Sequence, residues 1–168
     1  MKIGILGGSF DPAHKGHLAI SKEARKRFKL EKIIWAITKK NPLKAESKTP
    51  ISKKIKDCKK IIGLNSFIKV KFYENIIKSN KTIDLINYLK KNRNIEIFFL
   101  MGADNLISFH KWHKSELISQ KCNIIVFDRH GYKKNSLKSK TFKKFHNKTL
   151  TFVEFKKVNI SSSQLRKI

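Results

Sequence analysis

Two histidines and a pair of glycines near the start of the chain have the types and spacing that suit phosphate chemistry. Gly7 and Gly8 follow a short apolar run, and His14 and His17 come soon after them. Adjacent glycines let the backbone turn tightly and bring its N–H groups close to an anion. Histidines three residues apart share one face of a helix, and their N–H groups stabilise charge that develops during group transfer. The stretch therefore predicts a strand, a glycine turn that ends it, and a helix N-terminus around a phosphate.

The hydrophobic pattern along the rest of the chain predicts an α/β protein. Apolar runs at residues 3–6, 32–38, 95–101 and 123–127 indicate buried strands. Alternating patterns at residues 67–73 and 149–155 indicate half-exposed strands. Helical patterns separate them, which makes right-handed crossovers and a parallel sheet the expected arrangement. We expect one domain over residues 1–168, with a Rossmann-like doubly wound, mainly parallel sheet and helices on both faces.

Three local expectations accompany this fold. Asp11 and Pro12 are typical of a helix entry, with Asp as the cap and Pro in the first turn. Thr82 is expected to cap a helix that covers residues 83–91. Residues 133–148 are rich in lysine and weakly periodic, which predicts a mobile surface segment with no more than one short helix.

Two other interpretations of the histidines remain open at this point. His17, Ile20, Ala24 and Phe28 have the spacing of a buried helix stripe, which would make His17 a core residue. A zinc site is the other alternative, but no third ligand lies nearby in sequence and the two cysteines are far apart.

The strong positive charge is a weaker functional signal than its size suggests. The formal net charge is +27, yet lysine supplies 34 of the 39 basic residues. Readers of nucleic acid usually depend on arginine forks and aromatic platforms. Lysine here is spread over nearly every segment beside Ile, Asn and Phe, which are residues that A/T-rich codons encode. We therefore expect a surface that attracts anionic substrates, but no specific nucleic-acid partner.

Composition also indicates a compartment. No signal peptide is expected, because Met1 and Lys2 lead directly into a strand. No apolar run approaches the length that spans a membrane. With only Cys58 and Cys122 present, the chain is expected to be reduced and cytoplasmic, without a membrane partner.

The string from Gly7 to His17 resembles the signature of the HxGH nucleotidyltransferase superfamily. It reads Gly-Gly-Ser-Phe-Asp-Pro-x-His-x-Gly-His, and it matches neither the dinucleotide fingerprint nor a P-loop. Residues 159–168 resemble the superfamily's Ile-Ser-Ser-Thr-x-Ile-Arg motif. The resemblance implies that His14 and His17 are catalytic. The residues that it implies for ATP are Gly7, Gly8, Ser9, Phe10, His14, His17, Gly102, Asp104, Arg129, Ile160, Ser161, Ser162 and Arg166.

Other segments resemble bacterial nicotinate-nucleotide adenylyltransferases in particular. They are Asn-Pro-x-Lys at residues 41–44, Ser-x-x-Thr-x-Asp at 79–84, Gly-Ala-Asp at 102–104, a tryptophan at 112 and Arg-x-Gly at 129–131. The residues that this resemblance implies for the nicotinate nucleotide are Lys44, Thr82, Asp84, Trp112 and His113. Simpler interpretations stay open: Lys44 as a solvated loop residue, Thr82 and Asp104 as helix caps, and Trp112 as a core residue.

The resemblance implies transfer of AMP from ATP to nicotinate mononucleotide, giving deamido-NAD and pyrophosphate. Mg²⁺ is expected on the phosphates of ATP rather than on protein ligands, because few carboxylates are available. The alternatives are a pantetheine-phosphate adenylyltransferase, a cytidylyltransferase, or a basic nucleic-acid-binding protein. The pattern predicts neither the oligomeric state nor a preference for nicotinate over nicotinamide mononucleotide.

Overall fold

A six-stranded parallel sheet forms the centre of the computed structural model, which describes residues 1–39, 48–92 and 94–155. The strands are β1 (Lys2–Gly8), β2 (Lys32–Ile37), β3 (Ile68–Lys71), β4 (Glu96–Gly102), β5 (Asn123–Phe127) and β6 (Leu150–Val153). The helices among the described residues are α1 (Lys15–Phe28), α2 (Ile51–Ile62), α3 (Glu74–Ile77), α4 (Thr82–Leu89), α5 (Ala103–Phe109), α6 (Ser115–Lys121), α7 (Lys133–Leu137) and α8 (Lys140–Phe145).

The strand order confirms the predicted doubly wound fold. The order is β3-β2-β1-β4-β5-β6, and every neighbouring pair is parallel. The chain starts in the middle of the sheet, winds outward to β3, and then returns to the other side of β1 with β4. Ligands of such sheets bind where the winding direction reverses, beyond the carboxyl ends of the central strands. That point lies between the ends of β1 and β4.

Two hydrophobic cores cover the two faces of the sheet. One face of the strands packs against α1 and α2 through buried residues such as Ala24 and Cys58. The other face packs against α4, α5, α6 and α8. Ile97 and Phe98, neighbours on β4, belong to opposite cores, as the period of two in a strand requires. Burial on both faces explains why the central strands are continuous apolar runs in the sequence.

The entry to α1 differs from the expectation. Asp11 and Pro12 lie in a turn with a cis peptide bond between them, and the helix begins only at Lys15. His14 is the cap residue, because its imidazole accepts a hydrogen bond from the backbone of Gly16. Histidine is absent from the usual cap residues, so the cap could not be found from propensity.

Two further local expectations were wrong. The residue that caps α4 is Lys81, and Thr82 is the first helical residue. The lysine-rich segment at residues 133–148 forms two helices, α7 and α8, rather than one at most. Ser136, Thr141 and Phe145 of these helices are buried. Three buried positions among many lysines are too few to produce a clear helical period in the sequence.

Candidate active site

The two histidines at the start of α1 are held by hydrogen bonds from backbone N–H groups of the helix entry. The Nδ1 atom of His14 accepts a hydrogen bond from the N–H of Gly16 at 3.0 Å. The Nδ1 atom of His17 accepts from the N–H of His14 at 3.1 Å. These two bonds form a capping box with histidine in both roles. The ring centroids are 3.9 Å apart, so the two side chains form one unit.

This arrangement decides which nitrogen of each ring carries hydrogen. A neutral imidazole has one donor and one acceptor nitrogen, and both Nδ1 atoms here accept. Each neutral ring therefore carries its hydrogen on Nε2. The result is a pair of N–H donors whose orientation is set by the backbone of the first helical turn.

The surroundings keep both histidines neutral. Burial, followed by the charge of Arg129, lowers the pKa of His14 from 6.5 to about 4. Burial, with His14 and Arg129 as smaller causes, holds the pKa of His17 well below its ordinary value. Neutral donors need no proton from solvent near pH 7, and Arg129 supplies the positive charge beside them.

The glycines contribute differently from the expectation. Gly7 and Gly8 are the last two residues of β1 and pair with Ala36 and Ile37 of β2. They therefore belong to the strand and not to the turn that follows it. Neither has a positive φ; the turn residue in the left-handed region is Phe10, with φ of 50°. A methyl group at Gly7 or Gly8 would find its nearest neighbour at an ordinary 3.6 Å. Because Gly7 and Gly8 carry no side chain, the end of β1 stays accessible. Their backbone conformation itself does not require glycine.

Phe10 lies in the core between the histidines and β2. It is 2% exposed, and its ring stacks on Trp35 with centroids 5.1 Å apart. The same ring lies 4.6 Å from the imidazole of His17. A nucleotide contact of Phe10 stays a prediction, and the geometry gives its side chain the task of supporting His17.

Lys54 is a candidate that the sequence interpretation missed. This α2 residue is 1% exposed, and its Nζ lies 3.2 Å from Ser9 Oγ and 3.4 Å from the carbonyl oxygen of Thr38. Its ammonium group therefore reaches the chain segments that follow β1 and β2. The sequence does carry a signal for the burial of Lys54. The residue lies three positions after Ile51 and four before Cys58, within the apolar stripe of α2.

A charged pair joins the segments that follow β4 and β5. Arg129 Nη1 donates to Asp104 Oδ2 at 2.8 Å, and both side chains are largely buried. The other carboxylate oxygen, Oδ1, is buried without a hydrogen-bond partner among the described residues. It occupies the space beside Gly102, where an added Cβ would lie 2.6 Å from it. A glycine at 102 is thus needed for this carboxylate to lie where it does.

The predicted nicotinate residues that the structure describes, Thr82, Asp84, Trp112 and His113, lie at the other side of the sheet, on the face of α4 to α6. Thr82 and Asp84 are in the first turn of α4, where Asp84 Oδ2 accepts from Ser79 Oγ at 2.6 Å. Trp112 is half-buried and packs edge-on against Phe99, with centroids 6.1 Å apart. His113 is exposed.

Phe99 lies on this same face of the sheet, beside the end of β1. Its Cζ atom lies 3.6 Å from the position that a Cβ of Gly7 would take. The same ring contacts Trp112, which also packs on Phe109 with centroids 5.0 Å apart. The half-buried Trp112 therefore packs against the core, with its ring held by two aromatic neighbours.

Several predicted residues fall outside the described residues. They are Lys44, Ile160, Ser161, Ser162 and Arg166. Within residues 1–39, 48–92 and 94–155, no group of three or more histidine, cysteine, aspartate or glutamate side chains is placed to hold a metal ion. In the same parts of the chain, no helix is both long and apolar enough to cross a membrane.

A Rossmann-like sheet with paired histidines at the start of α1 defines a nucleotide-binding protein of the α/β class. The sequence model of the cytidylyltransferase-like family matches residues 5–168. A protein of Pelagibacter ubique (strain HTCC1062), named "Probable nicotinate-nucleotide adenylyltransferase", is 66% identical over 167 residues, which cover 99% of this chain and 93% of that protein. A Clostridium botulinum (strain Eklund 17B / Type B) protein of the same name is 34% identical over 170 residues, covering 99% and 84%. The chain belongs to the cytidylyltransferase-like family.

Solved structures of low sequence identity share the fold. The nicotinic acid mononucleotide adenylyltransferase of Plasmodium falciparum, complexed with NaAD, matches with a TM-score of 0.76 and 23% identity. That match covers 99% of this chain and 82% of the other. The structure of the same parasite enzyme complexed with APC matches with a TM-score of 0.78 and 24% identity.

Proposed function

We propose that the protein transfers AMP from ATP to nicotinate mononucleotide, releasing pyrophosphate and giving deamido-NAD for NAD synthesis. The observation that carries the proposal is the pair of neutral histidines whose Nε2–H donors are oriented by the backbone at the start of α1. The names of the similar proteins support the choice of acceptor.

The reaction needs no nucleophile from the protein. A phosphate oxygen of the acceptor forms a bond to the α-phosphorus of ATP, while the bond from that phosphorus to the bridging oxygen breaks. Pyrophosphate leaves with the bonding electrons, in line with the attack. What the protein contributes is orientation of two anions and stabilisation of the charge that moves to the leaving group. The Nε2–H donors of His14 and His17 suit that task.

The ATP side of the proposed site follows the carboxyl ends of the central strands. Gly7, Gly8 and Ser9 would offer accessible backbone beside the triphosphate, and Arg129 would add a guanidinium group. The unpartnered Oδ1 of Asp104 is a ready acceptor for a hydroxyl of the nucleotide's ribose. Binding of ATP by Ile160, Ser161, Ser162 and Arg166 is also proposed, and it rests on the resemblance alone.

The acceptor side is proposed at α4 and Trp112. The edge-on contact of Trp112 with Phe99 and its tilted contact with Phe109 hold the ring in place, which suits stacking on a flat pyridine ring. Thr82 lies in the first turn of α4, where backbone N–H groups have no helical partner and attract a carboxylate. Asp84, His113 and Lys44 complete the proposed acceptor side, on the resemblance alone.

Mg²⁺ is proposed to enter with ATP. Within the described residues no group of three or more potential ligands is placed to hold a metal ion, and Asp104 already pairs with Arg129. This fits a cation held mainly by phosphate oxygens, with the protein as a minor contributor. The ion would neutralise part of the triphosphate charge as the two anions approach.

The setting of the reaction is also proposed rather than observed. Cys58 and Cys122 are both buried and form no disulfide, which supports a reducing compartment, the cytoplasm. We propose that the chain acts as one domain, because the six described strands belong to one sheet.

Pyrophosphate release decides among the candidate functions. The wild-type chain is supplied with ATP and Mg²⁺ and, separately, with nicotinate mononucleotide, nicotinamide mononucleotide or phosphopantetheine; a fourth reaction replaces ATP by CTP. We expect release with ATP and nicotinate mononucleotide well above the other combinations. Release with phosphopantetheine alone, or with CTP alone, would overturn the substrate assignment and leave the nucleotidyltransferase class intact. No release from any combination would contradict the class of reaction.

A further inference from the structure

Trp35 is a buried residue to which the proposed reaction assigns no task. It lies on β2 with no exposed surface, on the face that packs against α1. Its indole Nε1–H donates to Ser21 Oγ at 2.8 Å, in a contact between β2 and α1. Buried indole N–H groups normally find a partner, but this partner is itself engaged with the candidate active site.

Ser21 passes the contact on to His17. Its side chain is also fully buried, and its Oγ–H donates to the carbonyl oxygen of His17 at 2.8 Å. A hydroxyl has one hydrogen to donate, so Ser21 accepts from Trp35 and donates to His17. The chain of hydrogen bonds thus has one direction and fixes the first turn of α1 against β2.

Trp35 also supports the ring of His17 from the side. Phe10 stacks on the indole with an angle of 19° between the planes, and Phe10 contacts the imidazole with centroids 4.6 Å apart. The centroids of His17 and Trp35 are 5.7 Å apart. The indole of Trp35 therefore packs against the imidazole of His17, directly and through Phe10. Its N–H also holds the backbone of His17 through Ser21.

We propose that Trp35 and Ser21 are positioning residues for His17. They hold the backbone and ring of His17 so that its Nε2–H stays aimed at the reacting phosphate. The inference rests on the proposed function and extends it to a pair of residues that touch neither substrate. Small displacements of a catalytic group lower the rate of group transfer strongly, because the reaction depends on orientation.

The expected effect falls on turnover rather than on substrate binding. ATP in the ground state would still bind to Arg129 and to the end of β1 at Gly7 and Gly8. The charge that develops in the transition state would be stabilised less, because His17 would be less well oriented. Loss of the positioning contact should therefore lower kcat and leave the KM for ATP nearly unchanged.

The test uses Trp35→Phe, Ser21→Ala and the double variant, with pyrophosphate release measured at saturating substrates. Each single variant should lower kcat by about fivefold, the order of one lost hydrogen bond. The double variant should lie close to the single variants, because both substitutions break the same chain. Thermal unfolding is measured on every variant in parallel.

Ser119→Ala is the matched control. Ser119 is 1% exposed on α6, and its hydroxyl donates to the carbonyl of Ser115 at 3.0 Å, four residues earlier. Ser21 makes the same kind of bond, but to His17. Ser119→Ala should leave kcat at the wild-type value. If Trp35→Phe fails to fold, Ser21→Ala against this control is sufficient, because alanine favours a helix interior.

Three outcomes would overturn the positioning role. They are wild-type kcat in Ser21→Ala, an equal loss of kcat in Ser119→Ala, and fully additive losses in the double variant. A rise in the KM for ATP at constant kcat would also contradict it. Absence of turnover in the wild-type chain contradicts the proposed function instead, so the two failures are distinguishable.

Discussion

His14 and His17 look equivalent in the sequence, but each has its own structural task. His14 is a non-helical cap residue with φ of −149°, whereas His17 lies within the first turn and contacts the aromatic pair of Phe10 and Trp35. A substitution at 14 therefore removes a helix cap together with a donor. Asparagine is the replacement that separates the two, because it caps helices well but carries no imidazole.

His14→Asn should lower kcat by about 10²- to 10³-fold, as loss of a charge-stabilising donor does in other enzymes. Its unfolding temperature should stay near that of the wild type, whereas His14→Ala should lose about 1 kcal/mol of stability with the cap. Pyrophosphate release and thermal unfolding measure the two effects. Wild-type kcat in His14→Asn would remove His14 from the chemistry.

The depressed histidine pKa values predict a dependence of stability on pH. Folding lowers the pKa of His14 from 6.5 to about 4, and lowers that of His17 well below its ordinary value. The unfolded chain therefore binds more protons between these values, and the folded state loses stability as the pH falls through that range. The stability that depends on neutral imidazoles is fully present above pH 6.5 and is lost once the pH falls below the pKa values of the folded state.

Thermal unfolding between pH 4 and pH 7 measures this contribution. The unfolding temperature should fall more steeply below pH 6.5 in the wild type than in a variant with asparagine at both 14 and 17. The comparison removes the titration of carboxylates, which is common to both chains. Parallel curves would mean that the two imidazoles are not held neutral by the fold.

At the scale of elements, α2 brings a buried cation to the strand ends. Lys54 lies on the apolar stripe between Ile51 and Cys58, and its ammonium group reaches Ser9. Burying a charged side chain is costly unless it is hydrogen-bonded, and Lys54 donates to Ser9 and to the carbonyl oxygen of Thr38. We expect its charge to contribute to anion binding, because Ser9 follows β1 directly.

Lys54→Met should therefore lower activity more than stability. We expect only a modest fall in the unfolding temperature, because methionine fills a similar volume but leaves Ser9 and the carbonyl of Thr38 without this donor. The value of kcat/KM should fall by about 10- to 100-fold, the order of a lost charge-assisted hydrogen bond. Lys56→Met, an exposed position on the same helix, is the control and should change neither quantity. Unchanged kcat/KM in Lys54→Met would give Lys54 a purely structural role.

At the scale of the whole molecule, the charge of +27 predicts the effect of salt on the reaction. A positive surface increases the rate at which anionic substrates arrive, and salt screens this attraction over about 10 Å at 0.1 M and about 3 Å at 1 M. The value of kcat/KM should thus fall as NaCl rises, while kcat changes much less. Steady-state pyrophosphate release at several salt concentrations measures both, and a kcat/KM independent of salt would contradict the steering role.

Binding of nucleic acid by the same positive charge can be tested directly. Duplex DNA binding by a basic surface falls steeply with salt, and it would survive His14→Asn if it were independent of the active site. We expect little affinity for duplex DNA at physiological salt, measured by fluorescence anisotropy. Tight binding there, with no turnover on any acceptor, would favour the binding protein over the enzyme.

The sequence by itself determined the strands, their parallel arrangement and the location of the histidine pair. Buried parallel strands are continuous apolar runs, and a period of three or four residues reports which helix face is covered. The ends of β4 and β5 could therefore be assigned from local pattern to within one residue, whereas β1 extends through Gly7 and Gly8, which the pattern placed in a turn. The resemblance of short motifs to known nucleotidyltransferases then indicated a reaction before any contact was known.

Only the tertiary structure decided how residues far apart in sequence meet. Lys54 reaches Ser9, Asp104 pairs with Arg129, and Trp35 reaches His17 through Ser21. Each contact joins two different elements, so it depends on strand order and helix placement rather than on local propensity. Hydrophobic periodicity reports that a side chain is covered, but it carries no information on which partner covers it. That is why the sequence located the histidines, while the fold decided what holds them neutral and aimed.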